Sequence, residues 1–458
     1  MKRDGTASDK HNAAHAAVPL PQSDRPASVD EPIAGEHQST PPLEISPLMT
    51  EVLDKENLKQ ALDRVKRNKG APGIDGMTVD ELSAHLKANW HTIRAQLVTG
   101  TYQPKPVKRV EIPKPDGRKR LLGIPTVTDR FIQQAIAQVV QRQWDSHFHP
   151  NSYGFRPGRN AHQAMRHAQA TIRQGYGWVV DIDLEAFFDH ARHDRLMVRL
   201  RKHVDAPDVL KLINRFLKGG VQVDGKTQAL RQGVPQGGPL SPVLANVVLD
   251  ELDWALDARG HRFARYADDC NIFVKSQRAG ERIMQNVTRY LRDSLRLTVN
   301  ANKSAVDRPR NRKFLGFTVS RNGARIKVAD KAIEKLKDTI RELTRRTRGH
   351  RLIDIVQELK TALTGWKAYF GIAEVLSPLR EIDKWVRRRL RCYAWKQWDS
   401  AGYRELRKRG VSVREAWNTS KSAHGPWRLS KTPALSLALP AKLFRQMGLP
   451  ELAPAKAA

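Results

Sequence analysis

Two acidic segments hold the side chains best suited to chemistry. In Trp178-Val179-Val180-Asp181-Ile182-Asp183-Leu184 two carboxylates are set into a β-branched run, and in Arg265-Tyr266-Ala267-Asp268-Asp269-Cys270 an acidic pair stands between Phe263 and the strand-like Ile272-Phe273-Val274. Carboxylates buried in a strand cost several kcal/mol unless they are paired or bound to metal. One acid from the first run and the pair from the second, more than 80 residues apart, can meet only in a folded site. Hard divalent cations such as Mg²⁺ take oxygen ligands from a few carboxylates plus substrate phosphates. Two such ions, about 3.5 to 4 Å apart, can activate an attacking hydroxyl and stabilise the leaving oxygen of an in-line phosphoryl displacement. That is polymerase or nuclease chemistry.

These segments need elements to position them. The first reads as a strand and the second as a hairpin with two acids at its tip. Between them, Gly233-Val234-Pro235-Gln236-Gly237-Gly238-Pro239-Leu240-Ser241-Pro242 is a loop leading into an apolar helix through Val243, Leu244, Val247, Val248 and Leu252, with Ser241 and Pro242 as its start. Upstream, Glu111 to Arg120 reads as a hairpin whose Asp116-Gly117 turn presents several cations. Leu53, Leu58, Leu62 and Val65 predict a helix from Glu51, ending in the glycine-rich loop Lys69 to Gly76. After Phe317, three apolar stripes follow at helical spacing: Ile333, Leu336, Ile340 and Leu343; Leu352, Ile355, Val356, Leu359 and Leu363; Ile382, Trp385, Val386 and Leu390. They predict a three-helix bundle. Residues 1–48, rich in Pro, Ser, Ala, His and Asp without apolar periodicity, read as a disordered leader.

The composition narrows the partner. The 458 residues carry 80 Lys+Arg against 48 Asp+Glu, a net charge of +32, which calls for a polyanion. Residues 1–300 hold 44 basic and 34 acidic side chains, net +10, and residues 301–458 hold 36 and 14, net +22. Six of the ten tryptophans lie in that last third, among arginines and lysines that suit stacking beside phosphate contacts. Cys270 and Cys392 are too far apart in sequence to suggest a disulfide framework or zinc site. The opening residues lack an apolar export segment and no run is long enough to span a membrane, so the expectation is a cytoplasmic chain without a membrane partner.

Tyr266-Ala267-Asp268-Asp269 resembles the catalytic box of reverse transcriptases. The order of blocks around it is similar to that of bacterial group II intron-encoded reverse transcriptase/maturases: GAPGIDG at 70–76, IPKPDGRKRLLGIP at 112–125, NSYGFRPGRN at 151–160, DIDLEAFFD at 181–189, GVPQGGPLSP at 233–242, RYADD at 265–269, LRLTVNANKS at 295–304 and FLGF at 314–317. The resemblance runs from about Glu51 to about Leu452. It implies an α/β right-hand polymerase, with fingers and palm built on antiparallel sheet over residues 49–322, an α-helical thumb (domain X) at 323–399 and a small DNA-binding tail at 400–458. No Cys/His cluster follows the tail, so the form expected is the one lacking the endonuclease domain, which would take single-stranded or already nicked DNA as its target.

What the resemblance implies for residues follows block by block. Asp183, Asp268 and Asp269 match the metal-binding aspartates, with the Leu184 carbonyl as a further oxygen, for two Mg²⁺ that Mn²⁺ could replace. Asp181 is the rival to Asp183; the family spacing of six residues to a second aspartate, here Asp189, favours Asp183. Phe188 matches the ring that lies under the incoming sugar and excludes a 2′-hydroxyl, while Phe187 packs in the core. Lys114 and Arg120 match the fingers residues that hold the triphosphate. Gln236 lies near nucleotide and template, and Lys303 and Arg265 are supporting cations. Arg156 and Arg159 touch the template strand or brace the fingers. Trp366 and Lys367, in the thumb signature Gly365-Trp366-Lys367-Ala368-Tyr369-Phe370, and Arg387, Arg388 and Arg391 are expected to meet nucleic acid. The implied activity is RNA-directed DNA synthesis from dNTPs on an RNA template and DNA primer, joined to binding of group II intron RNA for splicing and of target DNA for mobility. A domesticated or defence enzyme of the same family, or an RNA-binding splicing cofactor with vestigial polymerase activity, are the rival readings.

Overall fold

The computed structural model describes residues 45–113, 117, 119–230 and 232–454. Lys114 and residues 1–44 of the expected leader lie outside the described residues, as does the side chain of Arg120. Structure is already present ahead of the expected boundary at 48: Ser46 caps the helix Pro47–Val52, and Leu48 and Met49 are buried in the core. The helix expected from Glu51 is two helices. Asp54 accepts hydrogen bonds from the Glu56 and Asn57 amides and starts Lys55–Arg67 afresh.

The strands are β1 (Val107–Pro113), β2 (Lys119–Ile124), β3 (Trp178–Ile182), β4 (Val221–Val223), β5 (Lys226–Gln228), β6 (Arg262–Tyr266), β7 (Asp269–Val274), β8 (Ala305–Asp307), β9 (Phe317–Val319) and β10 (Ile326–Val328). One sheet has the order β2-β1-β4-β5 and another β6-β7-β3-β8. In the first, the expected hairpin is present, with Ile112 opposite Arg120 and Pro113 opposite Lys119. The second is antiparallel throughout and carries both acidic segments.

Strand alternation decides where those acids go. Val180 and Ile182 point into the main core beside Ile272 and Cys270, whereas Val179 and Phe273 belong to a smaller apolar cluster on the opposite face. Asp181 and Asp183 therefore share the face of Val179. The register pairs Asp181 with Asn271 and Ile182 with Cys270, and one step further sets Asp183 against Asp269. Like charges directly opposite each other in a sheet repel. A cation or proton between the strands would relieve this repulsion.

The three stripes form the helices Asp330–Leu343, Leu352–Phe370 and Ser377–Trp398, as expected. The expected boundary at 399/400 does not divide their core. One buried cluster runs from Val328 through Leu363 and Leu390 to Leu435, Phe444 and Ala453, because the short tail helices have too little apolar area of their own and bury it against the bundle. No helix among the described residues is long and apolar enough to cross a membrane.

Candidate catalytic site of the palm

Asp183 follows the end of β3, where its amide donates to Ser304 Oγ (3.0 Å) and its carbonyl accepts from the Asn300 amide (2.8 Å). Leu184 bridges Val299, and its side chain is buried. The segment 298–304 thus serves as an edge splint for the acidic strand end. Lys303 Nζ lies 3.3 Å from Asp183 Oδ1, so the expected supporting cation is next to the expected ligand.

Asp181 is occupied otherwise. The Arg312 guanidinium donates to its Oδ2 at 2.9 and 2.6 Å, and Asn271 Nδ2 approaches its Oδ1 (3.5 Å) and Asp269 Oδ1 (3.3 Å). Burial raises the Asp181 carboxyl above its ordinary range against the pull of Arg312. Burial, then the nearby carboxylates of Asp181, Asp268 and Asp183, push Asp269 up to about 8. Four acids therefore act on one another. Among the described residues no three His, Cys, Asp or Glu side chains stand as a finished metal cluster. What suits a divalent cation here is the charge: a carboxylate held this far above its ordinary value is a site that a cation would relieve.

The acidic pair sits on the β6–β7 turn, with Tyr266 opposite Asp269 and Ala267 in the left-handed region at φ +57°. Asp268 is exposed. Gly154 lies against this turn: a Cβ there would come 2.4 Å from the Ala267 nitrogen. The block NSYGFRPGRN is thus a backing strip, with Tyr153 N donating to Arg265 O (2.9 Å) and Arg265 N donating to Asn151 O (2.9 Å).

Of the two roles expected of Arg156, template contact or bracing, the geometry favours bracing. It is buried, and its donors go to Asp145 Oδ1 (2.7 Å), His149 O (2.8 Å), Ser152 O (2.9 Å) and Asp145 O (2.8 Å), so it braces. Arg159 stacks 5.5 Å from the Tyr153 ring centroid and stays partly exposed. Phe155, exposed and 6.1 Å from the Tyr266 ring, is an aromatic beside the turn that the sequence reading did not single out.

Phe188 and Gln236 line one cavity of about 260 Å³, together with Arg109, Leu121, Leu122 and Gly123 of the fingers hairpin. Phe187 is buried, as expected, and meets Phe188 edge-on at 5.1 Å. Gly237 has φ +130°, and a Cβ there would lie 2.7 Å from Gly123 O, so the loop needs glycine to approach β2 this closely.

The basic thumb residues, half-exposed, find partners within the chain. Arg387 meets Glu451 at 3.6 Å; Arg388 lies 3.7 Å over the Trp427 ring and donates to Trp427 O; Arg391 donates to Leu439 O (3.0 Å). They pin the tail to the bundle because each long side chain finds a carbonyl, ring or carboxylate within reach before it finds solvent. Trp366 stacks on Phe370 (4.5 Å), and Lys367 donates to Glu451 O (2.7 Å). Phe370 and Tyr369 in turn pack on Phe317, at 5.2 and 5.6 Å. The thumb signature is therefore the joint between palm and thumb.

Beneath the hairpin, burial and the nearby Asp253 charge push the Asp250 carboxyl up to about 6, against the Arg265 and Arg156 charges and the hydrogen bond from His149 N. The native state holds this proton more tightly than the unfolded chain does. Its contribution is therefore intact below the ordinary value of 3.8 and is lost as pH rises to about 6. Asp250→Asn keeps an acceptor for His149 N and removes the charge. It is expected to raise stability at pH 7 by ~1–2 kcal/mol and to flatten the pH dependence, as urea unfolding from pH 4 to 8 would show.

Comparison with known proteins follows the same division of the chain. Residues 112–319 match the family described as reverse transcriptase (RNA-dependent DNA polymerase), and residues 333–410 match the maturase-specific domain of group II introns. Protein YkfC of Escherichia coli (strain K12) is 33% identical over 306 residues, covering 58% of this chain and 80% of that one. The group II intron-encoded protein LtrA of Lactococcus lactis subsp. cremoris is 36% identical over 197 residues, 42% of this chain and 32% of its own. The retron Ec86 reverse transcriptase of Escherichia coli is 25% identical over 259 residues, 56% of this chain and 74% of that one. The chain thus spans four fifths of the first relative but about a third of the second. With a polymerase domain and a maturase-specific domain in succession on one chain, this protein belongs to the group II intron-encoded reverse transcriptase/maturase family and is an RNA-directed DNA polymerase.

Proposed function

We propose that the chain extends a DNA primer on an RNA template by two-metal phosphoryl transfer at Asp183, Asp268 and Asp269, and that it binds group II intron RNA and target DNA. The observation that carries this reading is the β3–β7 register, which sets Asp183 opposite Asp269 beside the Asp268 turn. These three carboxylates, with the Leu184 carbonyl, would hold two Mg²⁺, or Mn²⁺ in their place. Bound there, the ions supply Lewis acidity toward the primer 3′-hydroxyl and the leaving pyrophosphate.

The chain's own residues do the rest. Lys114 and Arg120 hold the triphosphate, a task suited to a point charge and a planar fork. Lys303, 3.3 Å from Asp183, balances charge between the aspartates and the nucleotide. Phe188 and Gln236 frame the cavity against the fingers, which supports a sugar-facing ring and a template-side amide. Phe188→Ala is expected to admit ribonucleotides, read as a fall of about tenfold or more in the dNTP/NTP ratio of kcat/KM.

Primer extension on an RNA template tests the polymerase half. Product from wild type and none from Asp268→Ala supports it; no product from either at any Mg²⁺ concentration leaves only the RNA-binding cofactor. For the maturase half, the RNA that co-purifies decides: enrichment of a folded intron RNA is expected, and its absence favours a domesticated enzyme.

Binding should weaken steeply with salt, each phosphate contact contributing about −0.9 to the log-log slope on duplex DNA or about −0.7 on single strands. Because Arg387, Arg388 and Arg391 serve within the chain, replacing them should change the melting temperature and leave the slope unchanged. Replacing exposed Arg414, Lys421 or Arg428 should reduce its magnitude by about one each, measured by fluorescence anisotropy.

A further inference from the structure

Among the described residues Arg265 is the largest fully buried side chain, and its ion-pair partner Asp253 is equally closed to solvent. All five guanidinium donors are used. Nε donates to Asp253 Oδ1 and Oδ2 (2.7 and 2.9 Å) and Nη2 to Asp253 Oδ2 (2.5 Å) and Ser152 Oγ (2.8 Å). Nη1 donates to Asn246 Oδ1 (3.0 Å) and to the carbonyl of Ala267 (2.9 Å). Ser152, Asn246 and Asp253 are each 0% exposed, so water cannot substitute for any of these partners.

A buried ion pair is not needed for stability as such, since well-packed apolar residues of similar volume often serve as well. What apolar residues cannot do is hold a carbonyl oxygen in a set direction. The carbonyl held here is that of Ala267, a non-glycine residue at φ +57°, a conformation that persists only where its surroundings enforce it. Its peptide plane leads directly into Asp268, so fixing the Ala267 carbonyl fixes the Asp268 amide and the place of its Cα, from which the side chain leaves the turn. Asp253 and Asn246 both belong to the helix Ser241–Asp257, which continues from the Pro235-Gln236-Gly237-Gly238 loop.

We infer that Arg265, held by Asp253, is a positioning residue for the Asp268-Asp269 turn, with Asn246 and Ser152 completing the clamp. The inference rests on the polymerase reading only for its consequence in catalysis; the geometry of the turn and its affinity for a divalent ion can be measured without it. Asp253 lies in none of the sequence blocks, because a residue that acts through another leaves no motif of its own.

Two variants test this. Arg265→Lys keeps a charge beside Asp253 but offers one nitrogen that cannot reach Asp253, Ala267 and Ser152 together. Ser152→Ala removes a single hydrogen bond and keeps the pair, so it tests the clamp even if the first variant fails to fold. For each, Mn²⁺ binding to the free chain is followed by electron paramagnetic resonance, amide exchange of the peptide spanning 263–272 by mass spectrometry, and kcat and KM by single-nucleotide extension on an RNA template. Arg265→Lys is expected to weaken Mn²⁺ binding and to lower kcat by about 10- to 100-fold each, with KM for dNTP nearly unchanged and faster exchange confined to the turn. Ser152→Ala should move every readout in the same direction by less, at the wild-type melting temperature.

Wild-type Mn²⁺ affinity and turn exchange in the folded variants would overturn the inference. So would activity that falls only in proportion to the folded fraction. If wild type extends no primer, the polymerase reading fails, while the ion affinity and the exchange still decide whether Arg265 sets the turn.

Discussion

Asp183→Asn is expected to reduce single-nucleotide extension on an RNA template by about three orders of magnitude or more, and Asp181→Asn by no more than about tenfold. A divalent ion contributes several kcal/mol of transition-state charge stabilisation, and each 1.36 kcal/mol is a factor of ten in rate. Loss of one carboxylate that would hold such an ion should therefore remove about 10³-fold. The two aspartates are two residues apart on the same face of β3, and sequence alone leaves them as rivals. The structure separates them. Asp181 is inward, with Arg312 on one oxygen and Asn271 by the other, whereas the Asp183 side chain is 40% exposed, beside Lys303 and across from Asp269. Removing the Asp181 charge leaves Arg312 without its partner and loosens the sheet, which costs placement rather than a ligand. Equal losses in the two variants, or a greater loss in Asp181→Asn, would reverse the assignment.

The second large effect is expected from Gly154→Ala. The added Cβ would lie 2.4 Å from the Ala267 nitrogen, 3.0 Å from the Tyr266 carbonyl carbon and 3.2 Å from the Ala267 Cα. All three are backbone atoms, so no side chain can swing aside. Either the backing strip or the catalytic turn has to move, and the turn is anchored by the Arg265 donor on the Ala267 carbonyl. Overpacking of this kind costs about 1–3 kcal/mol, and a displacement of about 1 Å at reacting groups can cost about 100-fold in rate. The variant should melt a few degrees lower while kcat drops by one to two orders of magnitude, a disproportion that separates it from general destabilisation. A folded Gly154→Ala with wild-type kcat would show that the turn tolerates displacement.

The local elements of the site were legible in the residues. The β-branched run around Asp181 and Asp183, the hairpin tip at Asp268, the Ser241-Pro242 helix start and the three thumb stripes all appear where pattern and turn chemistry put them. Each depends on neighbours in sequence. What escaped depends on partners far away. The destination of a long basic side chain is not a local property, so Arg387, Arg388 and Arg391 read as phosphate contacts and Arg156 as template contact or brace, although each closes on a carbonyl, ring or carboxylate of its own chain. Strands β9 and β10 are three residues each, too short for alternation to register. Thumb and tail share one core for a related reason: composition shifts near residue 400, but the apolar residues of the tail bury against the bundle. Asp253 and Asn246 gave no signal beyond a polar residue on an apolar helix, which is itself the cue worth heeding, since a buried polar group needs a partner.

The most direct test of the account is incorporation of one dNTP onto a DNA primer annealed to RNA, measured against Mg²⁺ concentration for the purified wild-type chain and for Asp269→Asn. The account predicts incorporation by wild type that rises with Mg²⁺ and stops with chelator, and none above background in the variant. No incorporation by wild type at any Mg²⁺ concentration, or equal incorporation by Asp269→Asn, would contradict it.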